Sequence, residues 1–247
     1  MVFMETEGQI KPGSGGPTMS RSIKDAKAYH RWVYSSFEKW LHHGGATLEI
    51  GAGHGEYSRM LTELGGELTV TDIDPTAVDT IRKMFEGKEN VSVVLMDGLE
   101  SGRLGEVFSN AVAVNIMEHI EDDSAFASSM YDVLKPGGRA VVFVPAFPFL
   151  YSSMDAEAGH YRRYTARGLR LLLENAGFSI LNLRYFNFVG FFGWYVNKLT
   201  RSGVDSDATS AQVRLFNALA PLLKMFEIFR WLCGQSLVAV AEKPQTR

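Results

Sequence analysis

An α/β fold built on a doubly wound, mostly parallel sheet is what this sequence predicts, on three observations. The first is the stretch 46–74, where a short β-branched run, a cluster of glycines, a helical periodicity and a second strand-like run follow one another. The second is the continued alternation of apolar strand-like runs, at 91–95, 111–116, 139–144 and 179–185, with helix-like segments. The third is composition: 247 residues, 46% hydrophobic and 21% charged, are enough for one large α/β domain or a domain with a substantial insertion.

The opening unit carries the ligand chemistry. Thr47-Leu48-Glu49-Ile50 reads as a strand and runs straight into Gly51-Ala52-Gly53-His54-Gly55. Three glycines in five residues let the backbone turn sharply and approach a ligand without Cβ clashes. Tyr57, Met60, Leu61 and Leu64 then recur at helical spacing until Gly65-Gly66 stops the helix. Leu68-Thr69-Val70-Thr71 makes the next strand, and Asp72 sits at its carboxyl end, where an open parallel sheet binds ligands. An acid about 20 residues past the first glycine is the expected partner of a ribose diol. A dinucleotide site needs G-x-G-x-x-G, with pyrophosphate on the helix N-terminus. Here Gly55 comes one position early, and Glu56 stands where that pattern has its third glycine. A carboxylate in the first helical turn repels a diphosphate and suits a cation without phosphate. Glu49, two residues before the first glycine, adds a second acid. A ligand combining ribose, adenine, an ammonium and a sulfonium answers this description, and S-adenosylmethionine is that ligand.

The run Glu49-Ile50-Gly51-Ala52-Gly53-His54-Gly55 resembles motif I of the class I S-adenosylmethionine-dependent methyltransferases. The resemblance continues in order through Thr71-Asp72-Ile73-Asp74-Pro75, Leu95-Met96-Asp97-Gly98, Asn115-Ile116-Met117-Glu118-His119-Ile120 and Leu134-Lys135-Pro136-Gly137-Gly138, and it covers residues 29–243. It implies a Rossmann-like sheet of seven strands, with 179–185 as the sixth and 237–242 as an antiparallel seventh. It implies S-adenosyl-L-methionine as cofactor and S-adenosyl-L-homocysteine as product, held by Glu49, Gly51, Ala52, Gly53, Asp72, Ile73, Asp97, Gly98 and Asn115. In the family the acid at Asp97 hydrogen-bonds the adenine amino group, and the next backbone amide faces a ring nitrogen. The plainer alternative for Asp97 is a helix cap or turn former. The family also places an N-terminal helical lid over the cofactor, which makes Tyr29 the candidate for the methionine carboxylate. The spacing of Tyr29, Trp32, Val33, Phe37, Trp40 and Leu41 over 23–42 equally suits a helix packed on the sheet.

In chain order, residues 1–20 are rich in glycine and proline and read as a flexible tail. The helical lid occupies 21–45, the cofactor-binding core 46–186, an apolar helical insertion 187–234, and the last strand with a tail 235–247. Residues 155–165, DAEAGHYRRYT, follow the fifth strand with acids, a histidine, two arginines and two tyrosines. In this fold such a segment lies above the cofactor's methyl group, so His160 is the leading general base, since its ordinary pKa is near neutrality. His119 is the second candidate. The plainer alternatives are a structural His119, and Arg162 and Arg163 pairing with Asp155 or Glu157 to staple the loop. The insertion opens on Phe186, Phe188, Phe191, Phe192, Trp194 and Tyr195, has a polar break at 202–210, and ends in an apolar helix or helix pair over 212–233, interrupted by Pro221. Core packing, a substrate cap forming an apolar acceptor pocket, and a membrane-surface or homodimer face are its three readings. Lys198, Arg201, Arg214, Lys224 and Arg230 give it a basic tilt that suits an anionic lipid surface.

Several classes are disfavoured. A net charge of −3 lacks the basic excess of a nucleic-acid-binding protein. The single cysteine, Cys233, excludes an internal disulfide and a cysteine-rich zinc site, and the six histidines are scattered, so no metal site is expected. No run of about 18 apolar residues suggests a transmembrane segment. Glu5 and Glu7 stand where a signal peptide would be basic, which points to a cytoplasmic location. The expected activity is methylation of a small molecule, a natural product, sugar or lipid-linked acceptor, with O-, N- and C-methylation all open. One alternative is a non-catalytic or membrane-associated protein on the same fold. The other is an NAD(P)-dependent oxidoreductase, disfavoured by Glu56 and by the lack of a Ser-Tyr-x-x-x-Lys set.

Overall fold

The computed structural model describes residues 26–105, 107–200, 215, 218–220 and 222–245. The expected tail at 1–20, the polar break at 202–210, Arg201, Arg214 and Pro221 lie outside them. Seven strands form one sheet: β1 (Thr47–Ile50), β2 (Leu68–Asp72), β3 (Val91–Leu95), β4 (Phe108–Val114), β5 (Leu134–Pro145), β6 (Ser179–Phe186) and β7 (Ser236–Glu242). Their order is β3-β2-β1-β4-β5-β7-β6. Strands β1 to β5 run parallel, and β7 lies antiparallel between β5 and β6, as the Rossmann-like reading requires. The strand order reverses at β1 and β4, which opens a crevice at their carboxyl ends.

The two faces are covered by different helices. Leu48, Ile50, Ala113 and Val142 pack with Phe126 and Met130 of α4 (Asp123–Val133) and with Leu169 and Leu173 of α6 (Ala166–Asn175). Val70, Val112, Val141 and Phe143 face the other way, against Trp32 and Val33 of α1 (Lys27–Ser35), Leu61 of α2 (Glu56–Leu61) and Ile81 of α3 (Pro75–Met84). Helix starts follow the sequence signals: Asp74 accepts the Thr76 N–H at 2.8 Å and Thr165 the Gly168 N–H at 2.9 Å. Two further helices are α5 (Ser153–Glu157) after β5 and α7 (Phe188–Thr200) after β6.

The periodicity over 23–42 suggests one longer helix, yet α1 stops at Ser35. The Ser35 hydroxyl donates to the Trp32 carbonyl at 2.7 Å, a local bond of the kind that competes with helical continuation. A 3₁₀ turn at Glu38–Trp40 follows, with Phe37 wholly buried beside it. The chain leaving this turn is clamped by Asn110 of β4. Its amide donates to the His42 carbonyl and the Thr47 hydroxyl at 3.0 Å each, and its oxygen accepts the His42 N–H at 2.8 Å. Asn110→Ala should therefore destabilise the protein by about 1–3 kcal/mol, because it strands buried groups at three places. Urea unfolding checks this, and an unmoved midpoint would count against the clamp.

Candidate active site

The glycine turn after β1 is shaped by backbone geometry. Gly51, Gly53 and Gly55 have φ of 71°, 57° and 77°, the left-handed region that glycine adopts at no steric cost. A Cβ on Gly51 would also collide with the Ile116 side chain at the β4 rim. Gly53 has nothing within 4 Å of where a Cβ would stand, so the turn is open on that side. Asp72 braces it: one carboxylate oxygen accepts the Gly53 N–H at 2.7 Å and the other the Asp74 N–H at 2.9 Å. A carboxylate offers about four lone-pair sites, so each oxygen keeps one for a ligand. Ile73, just after β2, is half-buried, and Ala52 in the glycine turn is buried.

The tips of the next two strands complete this side. Asp97 accepts the Leu99 N–H at 2.9 Å and starts the 3₁₀ turn Gly98–Leu104, so the capping role is present. A Cβ on Gly98 would stand 2.9 Å from Phe126 and 3.0 Å from Ile50. Asn115 ends β4 with φ 52°, a conformation that asparagine tolerates better than most residues, while its N–H donates to the Phe143 carbonyl at 2.8 Å.

Glu49, the second acid beside the glycine turn, is buried on β1, where it accepts the Ser58 hydroxyl. Burial pushes its carboxyl up to about 8 against the lowering effect of Ser58, and Glu56 and Asp72 push the same way. Tyr29 packs against Trp32 and Phe186, its hydroxyl bonds Asn187, and burial raises its pKa. Tyr57 is raised well above its ordinary value by burial, then by Tyr29, Glu56 and Glu49, which gathers these four groups at the start of α2. The His30 ring meets Tyr57 edge-on at 5.6 Å. His30 belongs to the run Tyr29-His30-Arg31-Trp32 that the family resemblance offers as the lid contact, whereas helical spacing makes Tyr57 indistinguishable in the sequence from a core residue.

The opposite wall is the loop after β5. Asp155 has no exposed side-chain surface and accepts the Ser152 N–H at 2.9 Å, the Ser152 hydroxyl at 3.1 Å, the Arg163 Nε–H at 2.7 Å and the His160 Nδ1–H at 3.0 Å. Burial raises its pKa, but the bond from His160 and the Arg163 charge outweigh this and hold it below its ordinary value. Arg163 also donates to the Ala146 carbonyl at 3.2 Å and lies over the Trp194 ring. The staple is thus Arg163 with Asp155, whereas Arg162 pairs with Asp123 at 2.8 Å. The same carboxylate also holds the His160 ring, so the staple and an oriented His160 share one acid.

Two histidines far apart in sequence meet here. The rings of His119 and His160 lie edge-to-face at 4.7 Å, and the Tyr161 N–H donates to the Glu118 carbonyl at 2.8 Å, tying the loop to the β4 rim. Glu118 is buried, and among the described residues no other residue hydrogen-bonds either of its carboxylate oxygens. Burial pushes its carboxyl up to about 7, and burial, helped by His160, pushes His119 down to about 4. One ligating atom each from Glu118, His119 and His160 lies within 4.8 Å of the other two. Sequence reasoning weighed Glu118 only as a neighbour of His119, and only folding shows it turned inward.

A family profile described as a methyltransferase domain matches residues 24–183, well over half of the chain. The chain belongs to the class I S-adenosylmethionine-dependent methyltransferases. This methyltransferase is 28% identical over 178 residues to a ubiquinone/menaquinone biosynthesis C-methyltransferase of Pectobacterium carotovorum, covering 58% of this chain and 69% of the relative. It is 28% identical over 102 residues to the mitochondrial ubiquinone biosynthesis O-methyltransferase of Schizosaccharomyces pombe, covering 40% of this chain and 37% of that one. Its fold matches the N-methyltransferase NodS of Bradyrhizobium japonicum, solved with S-adenosyl-l-homocysteine, at TM-score 0.57 and 15% identity, over 92% and 89% of the two chains. Membership of this family displaces the nicotinamide alternative.

Glu49 makes the methyltransferase pH-sensitive in a defined direction. Its folded pKa lies above the ordinary 4.5, so the folded state keeps a proton that the unfolded chain loses. The stability of the cofactor-free protein should therefore fall as pH rises from about 4.5 to about 8. A bound sulfonium and ammonium favour the ionised form, so S-adenosylmethionine binding at pH 7 should release protons. Calorimetry in buffers of different ionisation enthalpy measures this; Glu49→Gln should abolish the release, and a release equal to wild type would clear Glu49 of the role.

Proposed function

We propose that this methyltransferase moves the methyl group of S-adenosylmethionine onto a small molecule with an apolar part. The observation that carries the reading is the pairing of two walls. On one side lie the open glycine turn, Asp72 and the acids near Glu49; on the other lie His160, His119 and Glu118, held by the Asp155 staple. Gly51 packed on Ile116 keeps the walls adjacent, because Ile116 precedes Glu118 by two residues. A sulfonium methyl is already activated, so holding donor and acceptor in line supplies most of the rate, about 7–11 kcal/mol. Proton removal adds about 10²- to 10⁴-fold.

In this reading Gly51, Ala52 and Gly53 cradle the donor, Asp72 and Ile73 take the ribose, and Asp97 and Gly98 take the adenine. Glu49, Asn115 and Tyr29 face the amino-acid end and sulfur. His160, oriented by Asp155, and His119 serve the acceptor. The quinone-biosynthesis names of two relatives support an aromatic acceptor bearing an apolar chain. The insertion supports it too: Leu199, Met225, Ile228 and Trp231 are each at least two-thirds exposed, and Lys198, Lys224 and Arg230 stand among them. Such a surface suits a membrane from which an apolar acceptor is taken, while a second copy of the chain is the rival occupant. Among the described residues no helix is long and apolar enough to cross a membrane.

Asp72→Ala should weaken S-adenosylhomocysteine binding by about 1–3 kcal/mol in calorimetry, and unchanged affinity would remove Asp72 from the ribose site. His160→Ala should lower turnover while leaving cofactor affinity intact; an unaltered rate would remove His160 from catalysis. Cofactor binding without transfer to any member of a phenol, quinol and amine panel would favour a non-catalytic role. Anionic vesicles should pull down the wild-type chain and lose it on Ile228→Asp with Trp231→Asp. A dimer that dissociates in this double variant, with no vesicle binding, would assign the face to a second copy.

A further inference from the structure

We propose that Glu118, His119 and His160 hold a divalent transition ion of the Zn²⁺ or Mn²⁺ class, which binds and acidifies an oxygen nucleophile of the acceptor. The proposal rests on the methyl-transfer reading for its chemistry, but not for the ion itself. Three features carry it. First, the donor set is one carboxylate and two imidazoles, with a ligating atom from each within 4.8 Å of the other two. Two histidines and an acid are what three-ligand zinc sites and the facial non-haem sites use, and they leave a coordination position open. Imidazole donors favour such ions over Mg²⁺ or Ca²⁺, which take oxygen.

Second, the atoms that would face the ion are the ones without partners. Both carboxylate oxygens of Glu118 and Nδ1 of His119 are buried, and among the described residues no other residue hydrogen-bonds them. A buried carboxylate so exposed to desolvation is costly unless something cationic or donating meets it. Arg163 donates to Asp155 and to the Ala146 carbonyl, and it reaches Glu118 through its charge and not through a hydrogen bond. Third, the outer shell is already set. His160 gives Nδ1 to the buried Asp155, which turns Nε2 outward, and His119 is hydrogen-bonded to the Gly159 backbone through its ring. Metal-bound histidines are held in this manner, with the non-ligating nitrogen on a carboxylate or a carbonyl.

The site sits where the acceptor enters, at the β4 rim beside Ile116 and the glycine turn. A hydroxyl of the acceptor on the open position loses its proton to solvent. Its oxygen lone pair then forms the new O–C bond, and the sulfur keeps the electron pair of the broken S–C bond. The released proton carries away the positive charge that the sulfonium gives up, so the step balances. His160 and His119 therefore serve the acceptor as ligands of the ion.

Co²⁺ titration of the chelator-treated full chain, followed by its visible absorption, tests the proposal. One Co²⁺ per chain should bind and be displaced by Zn²⁺. Glu118→Gln and His119→Ala should each weaken Co²⁺ binding by at least the ~10–100-fold that loss of an outer-shell partner costs. Both variants should still bind S-adenosylhomocysteine, which reports an intact fold. A wild-type chain that takes up neither Co²⁺ nor Zn²⁺, or variants that bind Co²⁺ as well as it does, would overturn the site. Co²⁺ binding that depends on Glu118 in a chain that binds no S-adenosylhomocysteine would uphold the site and reject the donor reading instead.

Discussion

A carboxylate with no exposure must be satisfied inside the protein, and Asp155 is that group here. It gathers the Ser152 cap, the Arg163 guanidinium and the His160 ring, three partners from the twelve residues 152–163 that would otherwise be a loose polar loop. Through Arg163 the loop is tied to the end of β5 at Ala146, and through Tyr161 to the β4 rim at Glu118. Removing one partner from such a buried pair leaves an uncompensated charge, which is why the arrangement is all or nothing. The loop after β5 thus inherits its shape from one ion pair rather than from regular secondary structure.

The cofactor side obeys a different constraint, that of backbone reach. Left-handed glycines, the collision awaiting any Cβ at Gly51, and the two N–H groups held by Asp72 fix the turn before any ligand enters. This half was legible in the sequence because glycines and a strand-end acid act through local backbone geometry, and spacing reports that directly. The sheet was legible for the same reason, since β-branched apolar runs alternating with helical periods leave few topologies.

What was hidden depends on contacts between distant residues. Nothing at Glu118 distinguishes it from a solvent-facing acid until the β4 rim turns it inward, and the meeting of His119 with His160 spans a separation that no local pattern encodes. The burial that raises the Glu49 carboxyl is likewise a property of the packed fold, and not of the residue type. Helix α1 was drawn too long because the apolar spacing continues after Ser35 while the backbone has already turned.

The antiparallel strand has a consequence for how the chain comes to be assembled. Strand β7 is the last element of the sheet, yet it lies between β5 and β6, pairing Arg139 with Glu242 on one side and Phe186 with Ser236 on the other. During synthesis β6 has no neighbour and the outer edge of β5 stays bare until residues 236–242 leave the ribosome. Open strand edges are templates for the wrong partner. The nascent protein therefore passes through a stage in which its adhesive edges are complete and its sheet is not, and folding assistants would find their purchase there.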